Sequence, residues 1–379
     1  MKTMKLLLAS LLALAIHPVY AADPIKIGAV ISRTGPAAFL GEPQEITLKH
    51  YVGEINKSGG VLGRPLELVI YDDTSDANTT RTFATRLIEE DKVVAAMGAS
   101  TTGGTLAIAP VFDEAKVPLI SLAAGIEIVQ PVRPFVFKTP HDDRMVCSAI
   151  ALDMKARGYK NIALMTGTDG VGKSMRKECT AAAAAQGIKV IADENFNAKD
   201  IDMTPQLTKI KNTKGVDAVF VGGFGQPLAV VTRNYGQLGL PFPQYHANGS
   251  ASKEYIQMAG PASERVRLPG PLLVVADKLG PNDPARAVPV AYAATYKKVS
   301  GKDASSFGGY SYDALMLIVN AIKRAGSSNP AAIRNALETT KNYMGVTGTY
   351  NLSPTDHNGL DRSSLYMVDI KNGDWSLKQ

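Results

Sequence analysis

Short apolar runs alternate with segments whose apolar residues recur at helical spacing. Ile25-Lys26-Ile27-Gly28-Ala29-Val30 reads as a strand. Residues 43–58 carry Ile46, Tyr51, Val52 and Ile55 close to a helical period. A strand over 66–71 then runs into Asp72-Asp73, followed by a helix over 78–91 and a strand over 93–97. A helix over 105–115 and a strand over 118–122 complete the first half. This rhythm predicts a parallel sheet with helices on both faces.

The rhythm restarts after Lys138-Thr139-Pro140. Helices are expected over 144–157, 174–186, 204–212 and 227–238, and strands over 161–165, 188–194 and 218–222. The last third adds helices over 283–300, 312–324 and 329–339. Two similar α/β halves joined by more than one crossover predict two lobes around a cleft. Ligands in open parallel sheets gather at the carboxyl ends of strands, near helix N-termini.

Residues 1–21 have a different pattern. Lys2 and Lys5 precede an apolar run over 6–16 whose only polar member is Ser10. Val19-Tyr20-Ala21 then places short residues where a signal peptidase cuts, so cleavage is expected after Ala21. Eleven residues are too few for a bilayer core, which needs about 20. Cleavage removes two lysines and no acid, taking the formal charge from +6 to +4. No cysteine lies near the cut to carry a lipid, so a free periplasmic protein is expected. Export exposes Cys147 and Cys179 to an oxidising compartment. A disulfide and two buried thiols both remain open, because sequence does not give their separation.

The chain has 379 residues, 45% of them apolar and 20% charged, which excludes a largely disordered chain. Two cysteines cannot build a four-cysteine zinc site or a dense disulfide framework. No run of five Lys or Arg occurs, so nothing beyond a pI near 9.0 points to nucleic acid.

One motif matches a phosphate-binding loop at every position: Gly167-Thr168-Asp169-Gly170-Val171-Gly172-Lys173-Ser174, between a strand and a helix. Export argues against a nucleotide there. The only apolar strand ending in Asp lies upstream, in the other half. The expectation is a glycine-rich turn, with a P-loop nucleotide-binding protein as the remote alternative. Asp72-Asp73-Thr74-Ser75-Asp76 lacks the Gly and terminal Glu of a calcium loop and reads as a strand end with a helix cap. The five histidines fall in no H-E-x-x-H pattern, and no G-x-S-x-G occurs. No enzyme, metal or cofactor is expected.

Two turns suit a small anion. Gly98-Ala99-Ser100-Thr101-Thr102-Gly103-Gly104 follows a strand and opens a helix. Its hydroxyls and free N–H groups can hold a carboxylate. Ser121-Leu122-Ala123-Ala124-Gly125 follows the next strand and offers further backbone donors.

At these segments the chain resembles the type I periplasmic binding proteins of branched-chain amino acid ABC transporters, the leucine/isoleucine/valine-binding group. The resemblance runs through Ile25-Lys26-Ile27-Gly28, Thr34-Gly35-Pro36 and Gly41. It continues through Asn56-Lys57-Ser58-Gly59-Gly60-Val61-Leu62-Gly63, Asp72-Asp73 and the loop over 98–103. Val117-Pro118-Leu119-Ile120-Ser121, Gly222-Gly223-Phe224 and Tyr312-Asp313-Ala314 follow in order. The resemblance implies two Rossmann-like lobes, three hinge crossovers and closure over a ligand. It implies a monomer that hands a small molecule to an inner-membrane ABC permease. The lobes are expected to take 22–140 with 276–348, and 141–275 with 349–379. A ligand-sensing role for a signalling partner shares this fold.

The resemblance also implies a site. Thr102 stands where the family places a serine hydroxyl on the ligand carboxylate. Ala123 and Gly125 stand where it places backbone donors, and Gly125 is often Thr in amino-acid binders. Leu40, Val171 and Phe224 occupy positions that are often aromatic, and Phe39 and Phe307 complete the expected set. Asn248 stands where an acid pairs with the ligand's α-ammonium, with Ser250 and Glu254 nearby. A buried ammonium needs a charged or multiply hydrogen-bonded partner. Asn248 supplies no charge, so the expected ligand is an aromatic or aliphatic acid. Leucine, isoleucine, valine or another hydrophobic amino acid is the alternative.

Overall fold

The computed structural model describes residues 23–377. The expected leader and its expected cleavage after Ala21 lie outside the described residues. The first sheet holds β1 (Ile25–Ile31), β2 (Leu66–Asp72), β3 (Ala95–Gly98), β4 (Leu119–Ser121) and β5 (Val136–Lys138). Its order is β2-β1-β3-β4-β5, and every pair is parallel. β1 is apolar at nearly every position because helices cover both faces of a parallel sheet.

The second sheet holds β6 (Asn161–Gly167), β7 (Lys189–Phe196), β8 (Ala218–Gly222), β9 (Gln244–His246) and β10 (Val266–Pro271). A two-residue ribbon, β11 (Tyr343–Met344) and β12 (Thr349–Tyr350), precedes β13 (Leu365–Lys371) and β14 (Asp374–Leu377). The second sheet's order is β14-β13-β10-β9-β8-β6-β7, with β13 and β14 added antiparallel at one edge. Each sheet is sandwiched between two apolar layers. Leu48 and Ile318 lie on one side of the first sheet, and Leu87 and Phe112 on the other. Leu228 and Leu207 flank the second sheet on one side, and Ile150 and Met175 on the other.

Several helices begin earlier than their apolar period. The helix Gly170–Ala185 absorbs the glycine-rich stretch as its first turn, because Asp169 caps it. The helix Ser306–Ala325 starts six residues before the predicted 312 and includes Gly308-Gly309. A side chain at Gly308 would press on Thr47 and the Tyr292 hydroxyl, so these glycines let the helix lie close to its neighbours.

Among the described residues the chain passes between the sheets three times: after β5, after β10 and before β13. Residues 349–360, expected in the second lobe, carry Tyr350, Leu352 and Leu360 in the first core. The first crossing is clamped on the first-lobe side. Tyr350 Oη donates to Thr139 O at 2.9 Å, Asn358 Nδ2 to Pro140 O at 3.0 Å, and Thr139 Oγ1 to Tyr310 O at 2.9 Å. Beyond that clamp, His141 Nε2 meets Ser364 Oγ at 2.7 Å, tying the first and third crossings together. Asp313 anchors the group by accepting from Val346 N, Thr347 N and the Thr347 hydroxyl.

Cys147 and Cys179 form a disulfide between the helices Asp143–Ala156 and Gly170–Ala185, with Cα atoms 4.7 Å apart. The bond closes a sequence separation of 32 residues. Loop-closure entropy then predicts that reduction lowers unfolding free energy by about 3–4 kcal/mol. Urea melts with and without reductant measure this, and superimposable curves would contradict it.

Candidate functional site: an apolar cleft between the lobes

The carboxyl ends of β3 and β4 in one lobe, and of β6, β8 and β9 in the other, face a shared cavity. It holds about 500 Å³ of empty space, counting its open mouth. Leu40, Thr102 and Ala123 form the first-lobe wall, and Val171, Phe224 and Asn248 the second-lobe wall. The helix Ser306–Ala325 adds Phe307 and Tyr310. Seven of the nine residues expected in the site therefore line one cavity. None of the described residues lining it is charged.

Thr101 caps the helix Thr102–Ala115, its Oγ1 accepting from Gly104 N at 3.1 Å. The N–H groups of Thr102 and Gly103 open this helix and have no intrahelical partner, which favours negative charge there. Thr102 Oγ1 accepts from Gly125 N at 3.2 Å, leaving its own hydrogen to donate. Gly125, expected to face a ligand, lies behind Thr102 instead. A side chain at 125 would overlap the Thr102 γ-methyl, so the extra methyl of threonine fills space that glycine leaves. The Ala123 N–H is also engaged, donating to Ser121 Oγ at 3.1 Å. Ser100 Oγ accepts from Ser32 N and donates to Gln44 Oε1, which leaves it nothing to donate to a ligand.

Phe39 stands at the rim. Its ring stacks on Phe224 at 5.9 Å and meets Phe307 edge-on at 5.6 Å, joining the lobes at the mouth. Glu254 lines a second, smaller depression with Phe39 and Tyr255, adjoining the main cavity but not part of its lining. Ser250 is turned away, its Oγ 2.8 Å from His246 Nδ1. Sequence reasoning missed Tyr310 and Met175.

A buried polar group sits behind the wall. Lys138 Nζ donates to Ala124 O at 2.5 Å, and Ala124 itself lines the cavity. Burial pushes the Lys138 ammonium down to about 8, with Asp142 and Asp143 opposing the shift. Burial pushes Asp143 up to about 7 and His141 down to about 3. These residues do not line the cavity.

The loop over 167–174 is closed to phosphate. Asp169 Oδ1 accepts from Gly172 N at 3.0 Å, so a carboxylate occupies the helix start that a phosphate would need. Gly172 packs directly on the Gly167 carbonyl. Lys173 is exposed, whereas Ser174 is buried beside Asp143. Lys173→Ala should leave folding and ligand binding nearly unchanged, and ATP binding by the parent that this change removes would contradict the assignment.

The other loop carboxylates are also committed. Asp72 Oδ1 accepts from the N–H groups of Arg33, Thr34 and Thr74, and Asp76 caps the helix Ala77–Glu89 through Thr79 N. No cluster of three metal-ligating side chains occurs among the described residues.

Comparisons agree with this architecture. The chain is 28% identical to the leucine-, isoleucine-, valine-, threonine- and alanine-binding protein of Pseudomonas aeruginosa, over 94% of this chain and 90% of the relative. An extracellular ligand-binding receptor from Rhodopseudomonas palustris HaA2 superposes with a TM-score of 0.87 at 30% identity, over 94% of this chain and 99% of that one. The branched-chain amino acid transporter substrate-binding protein LivJ of Streptococcus pneumoniae, solved with isoleucine, gives 0.82 at 26% identity over 93% and 98%. The family model described as "Periplasmic binding protein" matches residues 24–374. With two α/β lobes facing an apolar cleft, the chain belongs to the periplasmic binding protein family.

Proposed function

We propose that this protein captures a small hydrophobic carboxylate in the periplasm and delivers it to an ABC permease of the branched-chain amino acid type. The observation that carries the reading is the cavity lining: apolar walls, a Thr102 hydroxyl free to donate at a helix start, and no charged side chain. A carboxylate gains the Thr102 hydroxyl and the helix-terminal N–H groups. An α-ammonium finds Asn248 but no anion, and burying it there is unfavourable. Aromatic or aliphatic acids are therefore the preferred class. The second reading, a hydrophobic amino acid, is supported by the names of the relatives.

Calorimetry on the mature chain tests this. Thr102→Val keeps the shape and should weaken binding of an acid by about 1.5–3 kcal/mol, as for a hydrogen bond to a charged group. Asn248→Asp should weaken acid binding and improve binding of leucine, because one ligand meets a like charge and the other gains a counter-ion. Tight leucine binding by the parent, unaffected by Asn248→Asp, would instead select the amino-acid reading. A thermal-shift screen supplies the ligand, since 100 times Kd should stabilise the fold by about 2.7 kcal/mol.

A further inference from the structure

Tyr310 carries a buried hydroxyl with no partner at full hydrogen-bond distance. The residue is 3% exposed and lines the cavity. Asn248 exerts a weak hydrogen-bonding influence on the phenol, without reaching full hydrogen-bond distance. Burial pushes the phenol's pKa up, so the group stays protonated and can both donate and accept. Buried hydroxyls are normally satisfied, and an unsatisfied one is unfavourable.

The backbone around Tyr310 is fixed. Its carbonyl accepts from Thr139 Oγ1 at 2.9 Å in the hinge clamp. A β-carbon at Gly309 beside it would stand 3.0–3.1 Å from the side chains of Thr347, Leu273 and Val346, so this stretch is closely packed. The ring therefore has little freedom to seek another partner. Its position is also distinct from the carboxylate end. Thr102 packs against Gly125 and Gly170, whereas Tyr310 neighbours Asn248 and the Asp313 group.

We infer that Tyr310, with Asn248 beside it, forms a subsite for a neutral hydrogen-bonding group, a hydroxyl or carbonyl, on the end of the ligand remote from its carboxylate. This rests on the carboxylate reading above and narrows it from hydrophobic acids to acids with a polar tip. Both side chains are neutral and can donate and accept, so a hydroxyl there would find a donor and an acceptor. A plain hydrocarbon tip would leave the phenol unsatisfied.

The test uses the full mature chain and two probes that differ by one hydroxyl, phenylacetate and 4-hydroxyphenylacetate, in calorimetry. The parent should bind the hydroxylated acid about 10–100-fold more tightly. Tyr310→Phe should reduce that preference, read as the ratio of the two affinities, to less than about 3-fold. The melting temperature of ligand-free Tyr310→Phe should stay within about 2 °C of the parent's, since at most a weak contact with Asn248 is lost. Equal affinity of the parent for both acids, or a preference that survives in Tyr310→Phe, overturns the subsite and leaves the carboxylate reading standing. If neither acid binds at millimolar concentration, the carboxylate reading fails and the subsite falls with it.

Discussion

Phenylalanine in place of Gly170 should abolish ligand binding while both lobes stay folded. Gly170 is the first residue of its helix and has no positive φ, so its backbone does not require glycine. The requirement comes from the opposite lobe. A β-carbon at 170 would stand 3.2 Å from Gly103 N and 3.5 Å from Thr102 Cβ. A ring there must displace the start of the Thr102–Ala115 helix or hold the lobes apart. Either outcome removes the geometry around Thr102. Affinity should fall at least about 100-fold, equivalent to about 2.7 kcal/mol. Ligand-free stability should change by no more than about 0.5 kcal/mol, as for a substitution outside a packed core. Retained affinity would show that this close approach is not needed for binding.

The pair Thr102–Gly125 should show strong coupling. Gly125→Thr alone drives a side chain into the Thr102 methyl, and overpacking of this kind costs about 1–3 kcal/mol. It should also turn Thr102 and weaken acid binding by at least about tenfold. Adding Thr102→Ser removes the obstructing methyl and keeps the hydroxyl, so the double variant should recover most of the loss. A double-mutant cycle by calorimetry should give a favourable coupling of about 1–3 kcal/mol. Additive effects would mean that the two side chains do not share this space.

Repeating β and α periods predict both parallel sheets, and the two hydroxyl-rich turns lie at strand ends as such sheets require. The strands missed are short or broken in pattern. β5 and β9 are three residues each, β10 reads Val-Arg-Leu-Pro-Gly-Pro, and β13–β14 is an antiparallel edge outside the alternating βα rhythm. Tyr310 lies before residue 312, where the expected helix begins, and close helix packing is what selects glycine at 308 and 309. The disulfide depended on a distance between two helices, which no local pattern encodes. The engaged amides of Ala123 and Gly125 depend on side chains 2 and 23 residues away. Residue type told that a donor existed, and only packing told where it was spent.

The clamp around Thr139 and Pro140 bears on how such a protein can diversify. Its hydrogen bonds hold the first crossing to one lobe, so opening can proceed by torsion at a few residues near His141 without breaching either core. Release of the ligand is then governed by contacts across the cleft and not by unfolding of the connectors. Substitutions on the cleft walls can shift residence time without altering the connectors. Selection for a new nutrient can therefore act on this surface without first acquiring a reserve of stability.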